Sequence, residues 1–202
     1  MRYKKSAISA AQIVDAAKRV IARQGYAQTS LKDIATEAGM SKGAIHYHFP
    51  TKEVLVAKVL EAATDAVAER TLSAWQAGGS DPMTALRAAV RELWAVRASG
   101  SDEVHVISNL LAQSLHDEAL RPQLAAYYQL AATQTGEHLV TALAAYGMRP
   151  RVSPEFVPRL LLGLLDGLVL QVFVDPDAVD ADELVKAVEL IAGALFEIGP
   201  PT

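Results

Sequence analysis

The chain has 202 residues, no cysteine and 51% hydrophobic residues. That is enough apolar content for a full core, and it excludes disulfides and thiolate metal sites. Its net charge of −4 hides an asymmetry: residues 1–58 carry ten Lys/Arg against four Asp/Glu, and the remainder nine against nineteen. A basic head on an acidic body points to a polyanionic partner for the head alone. The charged opening MRYKKSAISA lacks the apolar stretch of a secretion signal, which favours the cytoplasm.

Taken in chain order, Ile13, Ala16, Ala17, Val20 and Ile21 repeat at helical spacing and predict a first helix opening at Ser9 or Ile8 and stopping at Gly25. Ser30 then caps a short helix, with Asp33 three residues on in place of the Glu or Gln of a capping box, and Ile34, Ala35 and Ala38 as its inward stripe. Gly39 follows the last periodic residue, where a left-handed backbone suits glycine. Met40 fills the angle of the turn, and Ser41 caps a second short helix whose Ile45 and Phe49 face the first. Pro50 ends it.

The outer side of this second helix is lysine, two very small residues, and aromatic or imidazole groups with polar tips, which a core hairpin would not present. Gly43 and Ala44 let the backbone approach a groove; Lys42 and Tyr47 can reach phosphates; His46 or His48 can reach base edges. Thr51 opens the next helix with Lys52 beside exposed N–H groups, a place where a phosphate sits well. Thr29, Ser30 and Ser41 complete the expected DNA-contacting set. His46 and His48 are two apart on a helix and point about 160° away from one another, so they cannot chelate one ion.

Further helices are expected from about Thr51 to Ala77, Asp81 to Gly100, Asp102 to His116, Glu118 to Tyr146, Pro154 to Val174 and Asp180 to Ile198. No alternating strand pattern emerges, so the predicted class is all-α. The apolar run from Leu160 to Val174 is shorter than the ~20 residues of a membrane span and contains Asp166 and Gln171. His105, Asn109, Ala112 and His116 share one helix face. With Trp75, Trp94, Tyr127, Tyr128, Gln134, His138 and Gln171 they suggest a cavity for a mainly apolar ligand with a few polar anchors. Of these, Trp75, Trp94, His105, Asn109, Gln134, His138 and Gln171 are the candidate ligand-binding residues. No carboxylate joins His105, His116 and His138 at ligand spacing, so no metal is expected. Neither a nucleophile–base arrangement nor a glycine-rich phosphate loop is visible, and the chain reads as a non-enzyme without a cofactor. A purely structural helical adaptor would leave the basic module unexplained.

On the last two helices, Gly163 and Gly167 allow close backbone approach, while Leu184, Val188, Ile191, Leu195 and Ile198 repeat at spacings of four and three like a coiled-coil seam. They are the candidate interface between two copies.

The N-terminal run resembles the DNA-binding domain of the TetR family of bacterial repressors. The matching residues are a Gly-aromatic pair (Gly25, Tyr26), Thr29 with Ser30, Asp33-Ile34-Ala35, Ala38-Gly39, Ser41-Lys42-Gly43, an aromatic run closed by Phe49, and Lys52-Glu53. His46 stands where the family usually has tyrosine. The run from Leu160 to Val179 is similar to the betaine-regulator-type subgroup. The resemblance implies a helix-turn-helix DNA-binding domain over 1–52 and a helical ligand-binding and dimerisation domain over 53–202, whose last two helices form a four-helix bundle with a second copy. It implies a repressor that binds a pseudo-palindromic operator as a homodimer and is released by a small-molecule effector, with no membrane involved.

Overall fold

The computed structural model describes residues 2–144 and 147–198, with side chains for 9–136, 139, 140, 143, 144 and 147–197. Its elements in chain order are α1 (Arg2–Gln24), α2 (Leu31–Glu37), α3 (Lys42–His48), α4 (Lys52–Ala77), α5 (Pro82–Ala98), α6 (Asp102–Ser114), a 3₁₀ turn (Glu118–Leu120), α7 (Arg121–Ala144), β1 (Met148–Pro150), α8 (Phe156–Val174), α9 (Ala181–Leu195) and β2 (Phe196–Ile198). The all-α expectation holds. Among the described residues the one departure is a short antiparallel ladder in which Met148, Arg149 and Pro150 pair with Ile198, Glu197 and Phe196. Residues 196–198 were expected at the end of the last helix, but Phe196 has left helical geometry (φ −113°, ψ 149°). Three residues per strand are too few to show a period of two in the sequence.

Two compact units emerge. The first comprises residues 1–64 and 100–127, the second 65–99 and 128–202. The first unit thus reaches beyond residue 52, the boundary expected from the sequence, and takes in α6.

In the first unit, the apolar stripe of α1 is fully enclosed: Ile13, Ala16, Ala17 and Val20 expose no surface and Ile21 almost none. Burying an aliphatic side chain of this size contributes roughly 1.5–3 kcal/mol. Ile34, Ile45, Leu55, Leu60, Leu110 and Leu120 are buried alongside. α1 packs on both α2 and α6. Lys18 on α1 bridges Glu103 on α6 at 3.0 Å, and Arg19 and Arg23 hold Glu37 of α2 at 2.8 and 3.3 Å.

In the second unit, α5 packs against α8 and α9. The α4–α5 hairpin is tight at its turn, because a Cβ on Gly78 would come within 2.4 Å of Ala85 Cα. Farther from the turn, Arg70 bridges Glu92 at 2.6 Å. Leu143, Val157 and Phe196 form a cluster that Trp75, Leu139, Val140, Met148 and Leu195 cover. α8 has 19 residues, long and apolar enough by length and composition to cross a membrane, which corrects the sequence expectation that this run is too short. Its buried face, Val157, Pro158, Leu162, Leu165 and Val169, packs inside the unit instead, and its Asp166 is paired with Arg97.

Candidate nucleic-acid interface

The turn between α2 and α3 is built from local bonds. The Ser30 side chain accepts from the Asp33 N–H at 3.2 Å, and the Asp33 carboxylate accepts from the Ser30 N–H at 2.9 Å, which completes a capping box. Bonds from Ser30 hold the Asp33 carboxyl below the usual carboxylate range. After α2 the backbone turns through Gly39 at φ +65°, a conformation strained for any residue with a Cβ. Ser41 Oγ then accepts from the Ala44 N–H at 3.1 Å and starts α3. Ile45 and Phe49 are buried against α2 and its surroundings.

These constraints leave one side of α3 to solvent. Ser41, Lys42, Gly43, His46 and Tyr47 are exposed, and Ala44 and His48 are half-buried. Tyr47 is 77% exposed and so free to meet a partner. The His48 ring meets Tyr47 edge-on with centroids 5.2 Å apart, which fixes the tilt of both. His46 Nδ1 lies 3.3 Å from the Pro50 carbonyl oxygen, and that bond, made when Nδ1 carries the proton, leaves Nε2 outward. Among the described residues Lys42 and Lys32 have no carboxylate partner. Lys32, exposed on α2, is a cation that the motif reading leaves aside; its place in the first turn after Ser30 is the signal that marks it.

Two residues expected on the DNA-contacting side are turned inward. Thr29 is 3% exposed, and its hydroxyl donates to the Gly25 carbonyl at 2.7 Å. The Lys52 ammonium donates to the carbonyls of Tyr26 and Thr29, both at 2.7 Å, and lies 3.7 Å from the centre of the Tyr26 ring. The sequence places Lys52 at a helix start, but the segment between α1 and α2 turns the Tyr26 and Thr29 carbonyls toward it, and these hold the ammonium. The Tyr26 hydroxyl donates to Glu53 at 3.3 Å; burial first, and then the Glu53 charge, push that phenol well above its usual pKa.

The candidate ligand residues are dispersed. His105 and Asn109 belong to α6 in the first unit. Asn109 Oδ1 accepts the Tyr26 N–H at 2.8 Å, and His105 Nδ1 lies 3.1 Å from the Ser101 carbonyl. In the second unit Trp94 is buried in α5, and Trp75 packs on the Leu143 cluster. Gln134 bonds Asp65, and Gln171 is exposed on α8. The side chain of His138 lies outside the described residues.

Of the expected interface residues, Leu184 and Val188 are buried within the second unit, and Leu195 is partly buried against the Leu143 cluster. Ile191 faces out at 38% exposure. An apolar repeat marks a covered face without naming the cover, and here α5 takes most of that face. Gly163 and Gly167 have nothing within 4 Å of a built Cβ. They share an open face of α8 with Phe156, Leu160, Leu170 and Val174, which are 38–87% exposed.

With this geometry in hand, comparison with known proteins is specific. Residues 13–59 match the bacterial regulatory proteins of the tetR family, and residues 82–197 match the C-terminal domain of BetI-type transcriptional repressors. The HTH-type transcriptional regulator AcrR of Shigella flexneri is 36% identical over 75 residues, 37% of this chain and 35% of that protein, so the chain spans about a third of that relative. The HTH-type nicotine-responsive transcriptional repressor HdnoR of Paenarthrobacter nicotinovorans is 29% identical over 173 residues, 82% of this chain and 84% of that protein. A TetR-family regulator structure from Rhodococcus sp. superposes with a TM-score of 0.78 at 20% identity, covering 91% of this chain and 98% of that one, a likeness of fold. The chain belongs to the TetR family of bacterial regulatory proteins and carries a BetI-type C-terminal domain.

Proposed function

We propose that this chain is a repressor that binds a pseudo-palindromic operator as a homodimer and leaves it when a small-molecule effector occupies the helical domain of residues 53–202. The observation that carries the reading is the solvent-facing side of α3. A capped helix presents Lys42, Gly43, Ala44, His46 and Tyr47 outward while Ile45 and Phe49 anchor it from behind. A backbone flanked by glycine and alanine fits a major groove, Lys42 and Tyr47 reach phosphates, and His46 reaches base edges. Two such helices, one per protomer, address half-sites about 34 Å apart. The open face of α8 around Gly163 and Gly167, with Ile191 of α9, supplies the surface for the second copy.

Effector release follows from the same parts. α4 runs unbroken from Lys52 to Ala77, and its first turn holds the end of α1 through Lys52. A ligand that prefers a non-binding spacing of the two α3 helices by about 1–3 kcal/mol lowers operator affinity about 5- to 150-fold. HdnoR, which matches over most of its length, is named as nicotine-responsive, and a responsive repressor acting on DNA in the cytoplasm is the reading we carry to this chain.

Fluorescence anisotropy with duplexes from the DNA upstream of the protein's own coding region tests it. Tight, salt-sensitive binding to a palindromic duplex by two copies is expected. Binding of similar strength to every duplex, or by one copy alone, would remove the operator reading.

A further inference from the structure

The second unit contains polar groups whose bonding is half complete. Arg97, near the end of α5, has a side chain only 11% exposed, and its Nε donates to Asp166 Oδ1 at 3.3 Å. The other Asp166 oxygen accepts from the Tyr128 hydroxyl at 2.9 Å. Arg97 Nη1 is buried and has no acceptor among the described residues. On α7, Gln134 Nε2 donates to Asp65 at 2.8 Å, while Gln134 Oε1 is buried and has no donor among the described residues. Among the described residues, one buried donor and one buried acceptor therefore stand open in the same unit.

The α4–α5 register brings Arg97 level with Asp65, the partner of Gln134. Arg70 pairs with Glu92 across the α4–α5 hairpin, and Arg97 lies five residues on from Glu92 while Asp65, the partner of Gln134, lies five back from Arg70. Tyr128 and Gln134 sit on α7 on either side of Ala131 and Ala132, which pack on Leu162 of α8. Trp94, one helical turn before Arg97, is buried and adds apolar area.

We infer that these groups form the effector site, and that the effector is an uncharged, largely apolar molecule with a carbonyl-type acceptor for Arg97 and an N–H or O–H donor for Gln134, an aromatic amide in kind. The inference rests on the effector-released repressor proposed above. Charge decides between ligand classes. Arg97 is already neutralised by Asp166, so a ligand carboxylate beside it would bring an uncompensated buried charge. A neutral amide completes both open bonds and adds no charge.

The test uses the full chain and three probes of matched size: benzamide, benzoate and benzyltrimethylammonium. Thermal shift and calorimetric titration should show binding of benzamide in preference to both ions. Arg97→Lys keeps a cation for Asp166 but removes the second arm, and Gln134→Met removes the acceptor; each should weaken benzamide binding roughly tenfold or more. Should Arg97→Lys not fold, Gln134→Met and the preference of the unmodified protein among the probes decide the matter. Preferential binding of either ion, no binding of any probe, or benzamide binding unchanged in the folded variants overturns the inference. Operator affinity measured on the same samples separates it from its premise. Arg97-dependent benzamide binding with unchanged operator affinity keeps the site and removes the effector role. Absence of operator binding without any probe refutes the repressor reading and leaves the probe results to judge the site.

Discussion

Asn109 on α6 accepts the backbone N–H of Tyr26 at 2.8 Å across 83 residues of sequence. The bond satisfies a donor just past the end of α1, where no helical partner remains. On its other face Tyr26 carries the Lys52 ammonium, so a side chain from α6, the end of α1 and the first turn of α4 meet at one residue. Asn109→Leu leaves the Tyr26 N–H buried without a partner and should cost about 1–3 kcal/mol in urea unfolding. Asn109→Asp keeps the acceptor and should lose less. Equal losses for the two would mean that packing, and not this bond, sets the effect.

Lys52 and Lys42 should separate cleanly. Lys42 is exposed on α3, and Lys42→Ala should lower the slope of log affinity against log salt by about one unit, as for a lost phosphate contact. Lys52 is committed to two carbonyls and an aromatic face. Lys52→Met should therefore destabilise the fold by about 2 kcal/mol while changing the salt slope little. Anisotropy titrations over a salt series, paired with urea melts, distinguish the two outcomes.

The helix-turn-helix was legible because its determinants are local. Ser30 with Asp33, Gly39 at positive φ, and Ser41 with Ala44 each act within three residues, so the sequence alone positions them. The direction in which Lys52 and Thr29 turn was not legible, since it depends on where the end of α1 lies in space. The same limit applies to α9. Its repeat of Leu184 and Val188 reads as a seam, but the sequence does not say whether α5 or another copy fills it, and α5 does. Likewise Asn109 shares a helical face with His105, which suggested a ligand wall, whereas the partner of Asn109 is a backbone N–H.

Acid should loosen the reading head at carboxylates that bind cations or caps. Bonds from Arg19, and then from Arg23, hold the Glu37 carboxyl below its usual range, and those from Ser30 do the same for Asp33. A carboxyl depressed in the folded state stabilises above its ordinary value of about 4 and loses that contribution as pH falls through the folded value. Melts of Glu37→Gln should thus lie below those of the unmodified chain at neutral pH and converge with them as pH falls well below the ordinary carboxyl value. A constant gap at all pH values would show that the substitution acts through packing instead of charge.

Gly167→Leu tests assembly without confounding the fold. Nothing lies within 4 Å of a built Cβ at Gly167, and replacing glycine by leucine inside a helix favours helix by up to about 1 kcal/mol, so the protomer should melt no lower than before. In a proposed bundle of α8 and α9 with a second copy, however, the leucine would enter the space that the two glycines leave for close approach. The expected species is a folded monomer by sedimentation, with operator affinity reduced by several orders of magnitude because two linked half-site contacts have become one. Leu170→Glu on the same open face should act alike through charge in place of bulk. If both variants sediment as dimers and bind the full operator unchanged, the second copy docks on another surface and the open face of α8 has some other cover.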